Sequence, residues 1–201
     1  MKKKLVIFDF DGVIVDTLPL GFGLYKEVNP MMSYRDYQEM SYGNFHEGMV
    51  EAQSKGYNRP ADYRERYFAG IQVLPSPLKS VLEKINKKYD LAIVSSGVEA
   101  TIKNFLEKEG IFNFFFSVLG VETDKSKVVK LTTLSEKYAK NDMVYITDTL
   151  GDVLEAHEAG IKSIGVLWGL HDQETLARGN PEIIIGDPVV LEETIEKVLN
   201  G

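Results

Sequence analysis

The 201-residue chain has room for one domain of ordinary size with a modest insertion, and its 44% hydrophobic and 26% charged residues are the balance of a soluble globular protein. A formal net charge of −7 argues against non-specific binding to nucleic acid or anionic membranes, so an anionic substrate needs local compensation from lysine or a metal. The absence of cysteine excludes disulfides, zinc–thiolate sites and thiol catalysis.

Met1-Lys2-Lys3-Lys4 resembles the basic start of a signal peptide, but the apolar run behind it stops at Asp9, too short for a signal core. No window reaches membrane-spanning length, and the expectation is a cytoplasmic protein. Lys4–Phe10 reads as a buried strand that ends abruptly in Asp9-Phe10-Asp11-Gly12. Two carboxylates crowded at a strand end repel each other unless a cation sits between them.

From Leu18 to Val73 the strand signal disappears. Aromatic and methionine residues recur at helical spacing, broken at Asn29-Pro30, Gly43-Asn44, Gly56 and Arg59-Pro60, which predicts three or four short helices. The many tyrosines here read as the core and surface of a small bundle. After Leu74-Pro75-Ser76-Pro77 a β/α rhythm takes over. Helices are expected at Pro77–Lys87, Glu99–Lys108, Lys127–Tyr138, Asp152–Ala159, Gln173–Arg178 and Leu191–Leu199. Strands are expected at Leu91–Val94, Phe114–Leu119, Met143–Thr147, Ser163–Leu167 and Glu182–Ile185. The alternation implies an α/β fold, a doubly wound parallel sheet of Rossmann-like form. The expected division is an α/β core over 1–16 and 75–201, with an inserted α-helical cap over 17–74.

In a parallel sheet the C-terminal strand ends share one edge, where ligands bind. Three of the expected ends carry polar chemistry: Asp9 and Asp11, then Ser95-Ser96-Gly97, then Asp148 with Asp152 four residues on. Lys125 and Lys127 open the helix between the last two. Taken singly, each piece reads as a turn, a helix entry or a surface lysine; their joint placement does not. A carboxylate can attack phosphorus, and a second can protonate the leaving oxygen and then activate water. A hard divalent cation would hold nucleophile and phosphate together. A hydroxyl and backbone amides at a helix start suit phosphate oxygens, and a lysine offsets the crowded charge.

These motifs resemble the haloacid dehalogenase superfamily, in its phosphoglycolate phosphatase-like and β-phosphoglucomutase-like branch with a small helical cap. Asp9-Phe10-Asp11-Gly12-Val13-Ile14-Val15-Asp16-Thr17 is similar to the first family motif, Ser95 after Leu91–Val94 to the second, and Asp148-Thr149-Leu150-Gly151-Asp152 to the fourth. The resemblance implies Asp9 as nucleophile, Asp11 as general acid and base, and Ser95, Ser96, Gly97 and Lys127 as phosphate contacts. It implies Mg²⁺ held by Asp9, the Asp11 backbone carbonyl and Asp148, with Asp152 in support. Lys125 and Lys127 both satisfy the third motif; Lys127 lies nearer the apolar Val128, Val129 and Leu131 and is preferred. Thr147 stands where glycine is usual and Ser96 where asparagine is common; neither change removes a functional group.

The presence of Asp11 points to a phosphatase or phosphomutase rather than a dehalogenase. The implied activity is hydrolysis of a small-molecule phosphomonoester through an aspartyl-phosphate, by a monomer or homodimer. A phosphomutase and a phosphonate or pyrophosphate hydrolase are the alternatives. A non-catalytic interaction protein would have lost a motif residue, and a phosphorelay receiver would lack the helical insertion. The loop Gly43-Asn44-Phe45-His46 is expected to face the site, and Arg35, Arg59, Arg64 and Arg66 are the insertion's candidates for a second anionic group.

Overall fold

The computed structural model describes residues 3–70, 74 and 77–201. Six strands, β1 (Leu5–Phe8), β2 (Asp90–Val94), β3 (Phe115–Leu119), β4 (Met143–Thr147), β5 (Lys162–Val166) and β6 (Ile183–Ile185), form one parallel sheet in the order β3-β2-β1-β4-β5-β6. The crossovers are α5 (Leu78–Lys88) before β2, α6 (Glu99–Lys108), α7 (Lys127–Ser135), α8 (Leu150–Ala159) and α9 (Gln173–Ala177), and α10 (Leu191–Asn200) closes the chain. Strand pleating sends alternate residues to opposite faces, so each buried strand feeds two cores. Val6, Phe8, Leu91 and Ile93 pack with α5, α6 and α10 on one face. Leu5, Ile7, Ala92 and Val94 pack with α7 and α8 on the other.

Between β1 and β2 the chain inserts four helices: α1 (Leu18–Val28), α2 (Tyr34–Glu39), α3 (Phe45–Ser54) and α4 (Tyr63–Gly70). They enclose a small core of their own around Leu24, Tyr25, Met32, Met40, Ala52 and Tyr63. Side-chain caps set the starts of α2 and α3: Ser33 with Asp36 forms a capping box, and Asn44 accepts from the His46 and Glu47 amides. The expected return to the α/β part, at 74/75, falls among residues 71–73 and 75–76, outside those described.

Several elements begin or end elsewhere than the sequence pattern suggests. The first strand stops at Phe8, because Gly12 at φ +75° turns the chain back and the Ile14 and Val15 amides bond to Phe10 O. Helix α8 starts at Leu150, two residues before Asp152, because Thr149 is its N-cap and accepts from the Asp152 amide. Helix α7 ends at Ser135, short of Tyr138. No helix among the described residues is long and apolar enough to cross a membrane.

Candidate active site

β1 lies between β2 and β4, with Phe8 in register with Ile93 on one side and Ile146 on the other. The residues just past these positions therefore meet on one edge. Asp9 follows β1, Ser95 follows β2 and Asp148 follows β4. The Asp9 amide still donates to Ile146 O at 2.9 Å, which fixes its side chain at the mouth of the sheet. All three residues are buried.

Lys127 opens α7, behind an N-cap at Ser126. Its Nζ donates to Asp9 Oδ2 at 2.9 Å, to Asp152 Oδ2 at 2.6 Å and to the Tyr145 hydroxyl at 3.0 Å. Lys125, the other candidate, lines the cavity above but makes no such contact; its backbone carbonyl accepts from Asn44 Nδ2. Burial alone would strip the proton from Lys127, but the Asp152 and Asp9 carboxylates outweigh it and hold the ammonium charged. Asp152 is correspondingly held low, against its own burial, by Lys127 and by the Thr147 hydroxyl at 2.9 Å. Asp9 is pushed well up by burial, only partly offset by Lys127 and reinforced by the nearby Asp152 and Asp148. The threonine that replaces the usual glycine thus contributes a bond to Asp152.

Asp152 Oδ2 accepts from Lys127, Tyr145 and Thr147, so this oxygen is committed to the lysine's surroundings. Asp148 is different. Its Oδ2 accepts from the Leu170 amide at 2.7 Å, while its Oδ1 is buried without a partner. Burial pushes its carboxyl up to about 7, despite the Leu170 amide. Two glycines allow it to sit there: a Cβ on Gly12 would lie 2.0 Å from Asp148 Oδ2, and one on Gly169 would lie 2.2 Å from Asp148 Cβ. An orphaned carboxylate oxygen suits a hard divalent cation, and of the neighbouring Asp9 and Asp148 it is Asp148 Oδ1 that is free, since both Asp9 oxygens already accept, from the Phe10 amide and from Lys127. Among the described residues no three acidic or imidazole side chains form a complete cage, so a backbone oxygen such as that of Asp11 would have to join them.

Asp11 is half-buried, and desolvation raises its carboxyl, while the Tyr67 and Thr17 hydroxyls oppose that rise by donating to its Oδ1. Thr17 does so at 2.9 Å; Tyr67 reaches the same oxygen from α4. The Ser95 hydroxyl accepts from the Gly97 amide at 3.0 Å, which tightens the turn after β2, and Ser96 and Gly97 line the cavity. That cavity, about 360 Å³, runs from Asp9, Asp11, Ser95 and Lys127 up to the inserted helices, where His46 and Arg59 face it. Arg35 and Arg66 lie elsewhere, in ion pairs with Glu39 and Glu27.

Sequence reasoning did not single out Tyr67, Tyr145, Glu155 or Lys130. Glu155 Oε1 accepts from the Lys127 amide at 2.8 Å and from Asn44 Nδ2 at 3.0 Å. Lys130 is fully buried, and its Nζ donates to Ser95 O at 2.6 Å and Gly120 O at 3.3 Å. The carboxylate at the second position of α8's second turn and the lysine one turn beyond Lys127 both carry helix spacing, the only signal that could have marked them.

Comparison with known proteins gives the family and the fold. Residues 6–166 match the model of the haloacid dehalogenase-like hydrolases. The chain is 22% identical to a phosphoglycolate phosphatase of Synechococcus elongatus, over 98% of this chain and 99% of that one. It is 25% identical to a phosphoglycolate phosphatase of Vibrio parahaemolyticus, over 97% and 96% of the two chains. A haloacid dehalogenase-like family hydrolase from Streptococcus pneumoniae has the same fold, with a TM-score of 0.75 at 21% identity, covering 96% of this chain and 98% of that chain.

Proposed function

The chain belongs to the haloacid dehalogenase-like hydrolases, and from that premise we propose that it is a Mg²⁺-dependent phosphatase acting on a small-molecule phosphomonoester through an aspartyl-phosphate. The observation that carries this reading is the contact of the Lys127 ammonium with the Asp9 carboxylate at the floor of a cavity, with Asp11 two residues on. The relatives named as phosphoglycolate phosphatases support the reaction class.

Phosphate would sit among the Ser95 hydroxyl, the Ser96 and Gly97 amides and Lys127. An Asp9 oxygen attacks phosphorus as the ester oxygen departs, and Asp11 delivers a proton to that oxygen. Water then gives its proton back to Asp11 and attacks the same phosphorus, freeing inorganic phosphate and restoring Asp9. Asp152 holds Lys127 against Asp9, so the ammonium stays where negative charge develops. Asp9, the Asp11 carbonyl and Asp148 would hold Mg²⁺, which supplies charge neutralisation between nucleophile and phosphate. The helices over 18–70 act as the cap, which excludes bulk water during the reaction.

The test is phosphate release from a panel of alkyl and sugar phosphates, nucleotides and pyrophosphate, with and without Mg²⁺, for the native protein and Asp9→Asn. Metal-dependent release that falls by several orders of magnitude in Asp9→Asn is expected. Undiminished release by that variant would remove Asp9 as nucleophile, and rearranged sugar phosphate without release would identify a mutase.

A further inference from the structure

Tyr145 is a buried ionisable group with no part in the proposed steps. It lies in the middle of β4, in register with Ile7 of β1, and its ring belongs to the core that α7 and α8 cover. The residue is 0% exposed and does not line the cavity, so its hydroxyl is out of a substrate's reach. That hydroxyl nevertheless has three polar partners: Lys127 Nζ and Asp152 Oδ2, each at 3.0 Å, and Val94 O at 3.1 Å. A phenylalanine would fill the same core, so packing alone does not account for the hydroxyl.

Its place follows from the supply of donors. The Lys127 ammonium has three N–H groups and three acceptors: Asp9 Oδ2 at 2.9 Å, Asp152 Oδ2 at 2.6 Å and the Tyr145 hydroxyl. Tyr145 therefore accepts from Lys127, and its own single proton goes to Asp152 Oδ2 or to Val94 O. Burial, then the Asp152 and Asp9 carboxylates, hold the phenol well above its usual range, so that proton stays on the oxygen. Lys127, Asp152 and Tyr145 close a triangle of contacts, tied through Val94 O to the end of β2, one residue before Ser95. Asp9 stands outside the triangle.

We propose that Tyr145 is a positioning residue for Lys127: with Asp152, its hydroxyl occupies two of the ammonium's N–H groups and so aims the third at Asp9 and at the phosphoryl group that Asp9 attacks. This rests on the phosphatase reading and deepens it. Asp9 is the acceptor that the reaction itself draws away, because its carboxylate becomes an acyl phosphate and loses its charge. Asp152 alone would then leave the ammonium free to turn about its Cε–Nζ bond, since lysine presents rotatable donors on a flexible stem. Tyr145 supplies the second fixed acceptor, so the N–H released by Asp9 already points at the phosphoryl oxygens. A donor that needs no rearrangement as charge develops stabilises the transition state most.

The test compares Tyr145→Phe with Thr147→Val. Each hydroxyl lies within bonding distance of Asp152 Oδ2, at 3.0 and 2.9 Å, but only that of Tyr145 also meets Lys127. Thr147→Val takes away the acceptor of the Thr149 amide as well, so it is no gentler a change to the fold. Phosphate release is measured with Mg²⁺ on p-nitrophenyl phosphate and on the ester of the wider panel that the native protein turns over fastest. The kcat is taken per folded molecule, from urea unfolding curves. Tyr145→Phe is expected to lower kcat by about 10-fold with KM within about threefold of native, and Thr147→Val to lower kcat by less. A native kcat for Tyr145→Phe, a loss confined to KM, or equal losses of kcat in the two variants overturns the proposal and leaves the phosphatase reading intact. Release by the native protein from no ester overturns that reading and the proposal with it.

Discussion

Asn44 Nδ2 donates to Glu155 Oε1 at 3.0 Å, and that same oxygen accepts from the Lys127 backbone amide at 2.8 Å. One carboxylate oxygen thus joins the inserted helices to the segment that carries Lys127. Asn44 also caps α3, so Asn44→Ala removes an N-cap and a cross-segment bond together and should cost about 1–2 kcal/mol. Glu155→Ala should cost about 1–3 kcal/mol, because it strands the Lys127 amide in a buried place, whereas Glu155→Gln keeps an acceptor and should cost less. Urea midpoints at constant m measure all three. Native-like midpoints for Asn44→Ala would show that the bond joins nothing of consequence.

Lys130 presents a buried ammonium to Ser95 O and Gly120 O, where β2 and β3 end. Lys130→Met leaves both carbonyls without that donor and should loosen the turn carrying the Ser95 hydroxyl, raising KM by roughly 10-fold with a smaller effect on kcat. Burial, then the charge of Lys127, lower Lys130 from 10.5 to about 8. Between these values the unfolded chain keeps a proton that the folded chain has lost, so stability from this group rises with pH from about 8 to 10.5. Below pH 8 the full cost of the buried charge is present. Stability curves of the native protein and Lys130→Met should therefore diverge in slope over that window; parallel curves would contradict the assignment.

The sheet and the positions of Asp9, Ser95 and Asp148 are legible because they depend on local signals: apolar runs of strand length, each ending at a polar residue, with helical periodicity between. For Lys127 the legible signal is Leu131, four residues on and buried on the same face of α7; Val129, also used in preferring it over Lys125, is exposed and marks nothing. Tyr67 is not legible. It is one of many tyrosines in the insertion, and whether its hydroxyl meets Asp11 or water depends on how α4 docks over the sheet edge. Lys130 reads as a surface charge because burial of lysine is rare, and its acceptors lie in two other strand ends. Glu155 fails for the same reason, its partners being 28 and 111 residues away.

Tyr67 and Thr17 both donate to Oδ1 of Asp11. They orient the carboxyl that is proposed to pass a proton to the leaving oxygen. Tyr67→Phe removes one donor at almost constant shape and should lower kcat on an alkyl phosphate by about 10-fold, with KM nearly unchanged. Thr17→Val should do likewise. Because the donors share an oxygen, the double variant should lose a different amount from the sum of the singles. Simple additivity in the cycle would mean that the two hydroxyls act apart from Asp11.

The unpartnered Oδ1 of Asp148 gives a test of metal binding that does not use turnover. A ligand that binds only the folded chain stabilises it by mass action, about 2.7 kcal/mol at a hundredfold excess over Kd. Mg²⁺ should therefore raise the thermal midpoint of the native protein, and chelator should reverse the rise. Asp148→Asn should respond less, since its neutral amide is a poorer ligand for a hard cation. An unchanged midpoint at saturating Mg²⁺ would remove the cation from this site.

Gly151 sets two physical effects against each other. It lies inside α8, where alanine is favoured over glycine by about 1 kcal/mol. Propensity alone therefore predicts that Gly151→Ala stabilises the protein. The residue is also a point where the inserted segment meets the α/β part backbone to backbone: its amide donates to Ser41 O at 2.9 Å, and a Cβ there would lie 2.0 Å from Gly43 O. That obstacle is a backbone carbonyl, which no rotamer change can move aside. Relief requires the 41–44 turn to lift, which breaks the Ser41 bond and strains those of Asn44. Overpacking of this kind costs about 1–3 kcal/mol, more than the propensity gain returns. Gly151→Ala should thus lower the urea midpoint and also raise KM, because the same turn borders the cavity that holds His46. A midpoint above that of the native protein would show that propensity prevails and that the contact yields freely.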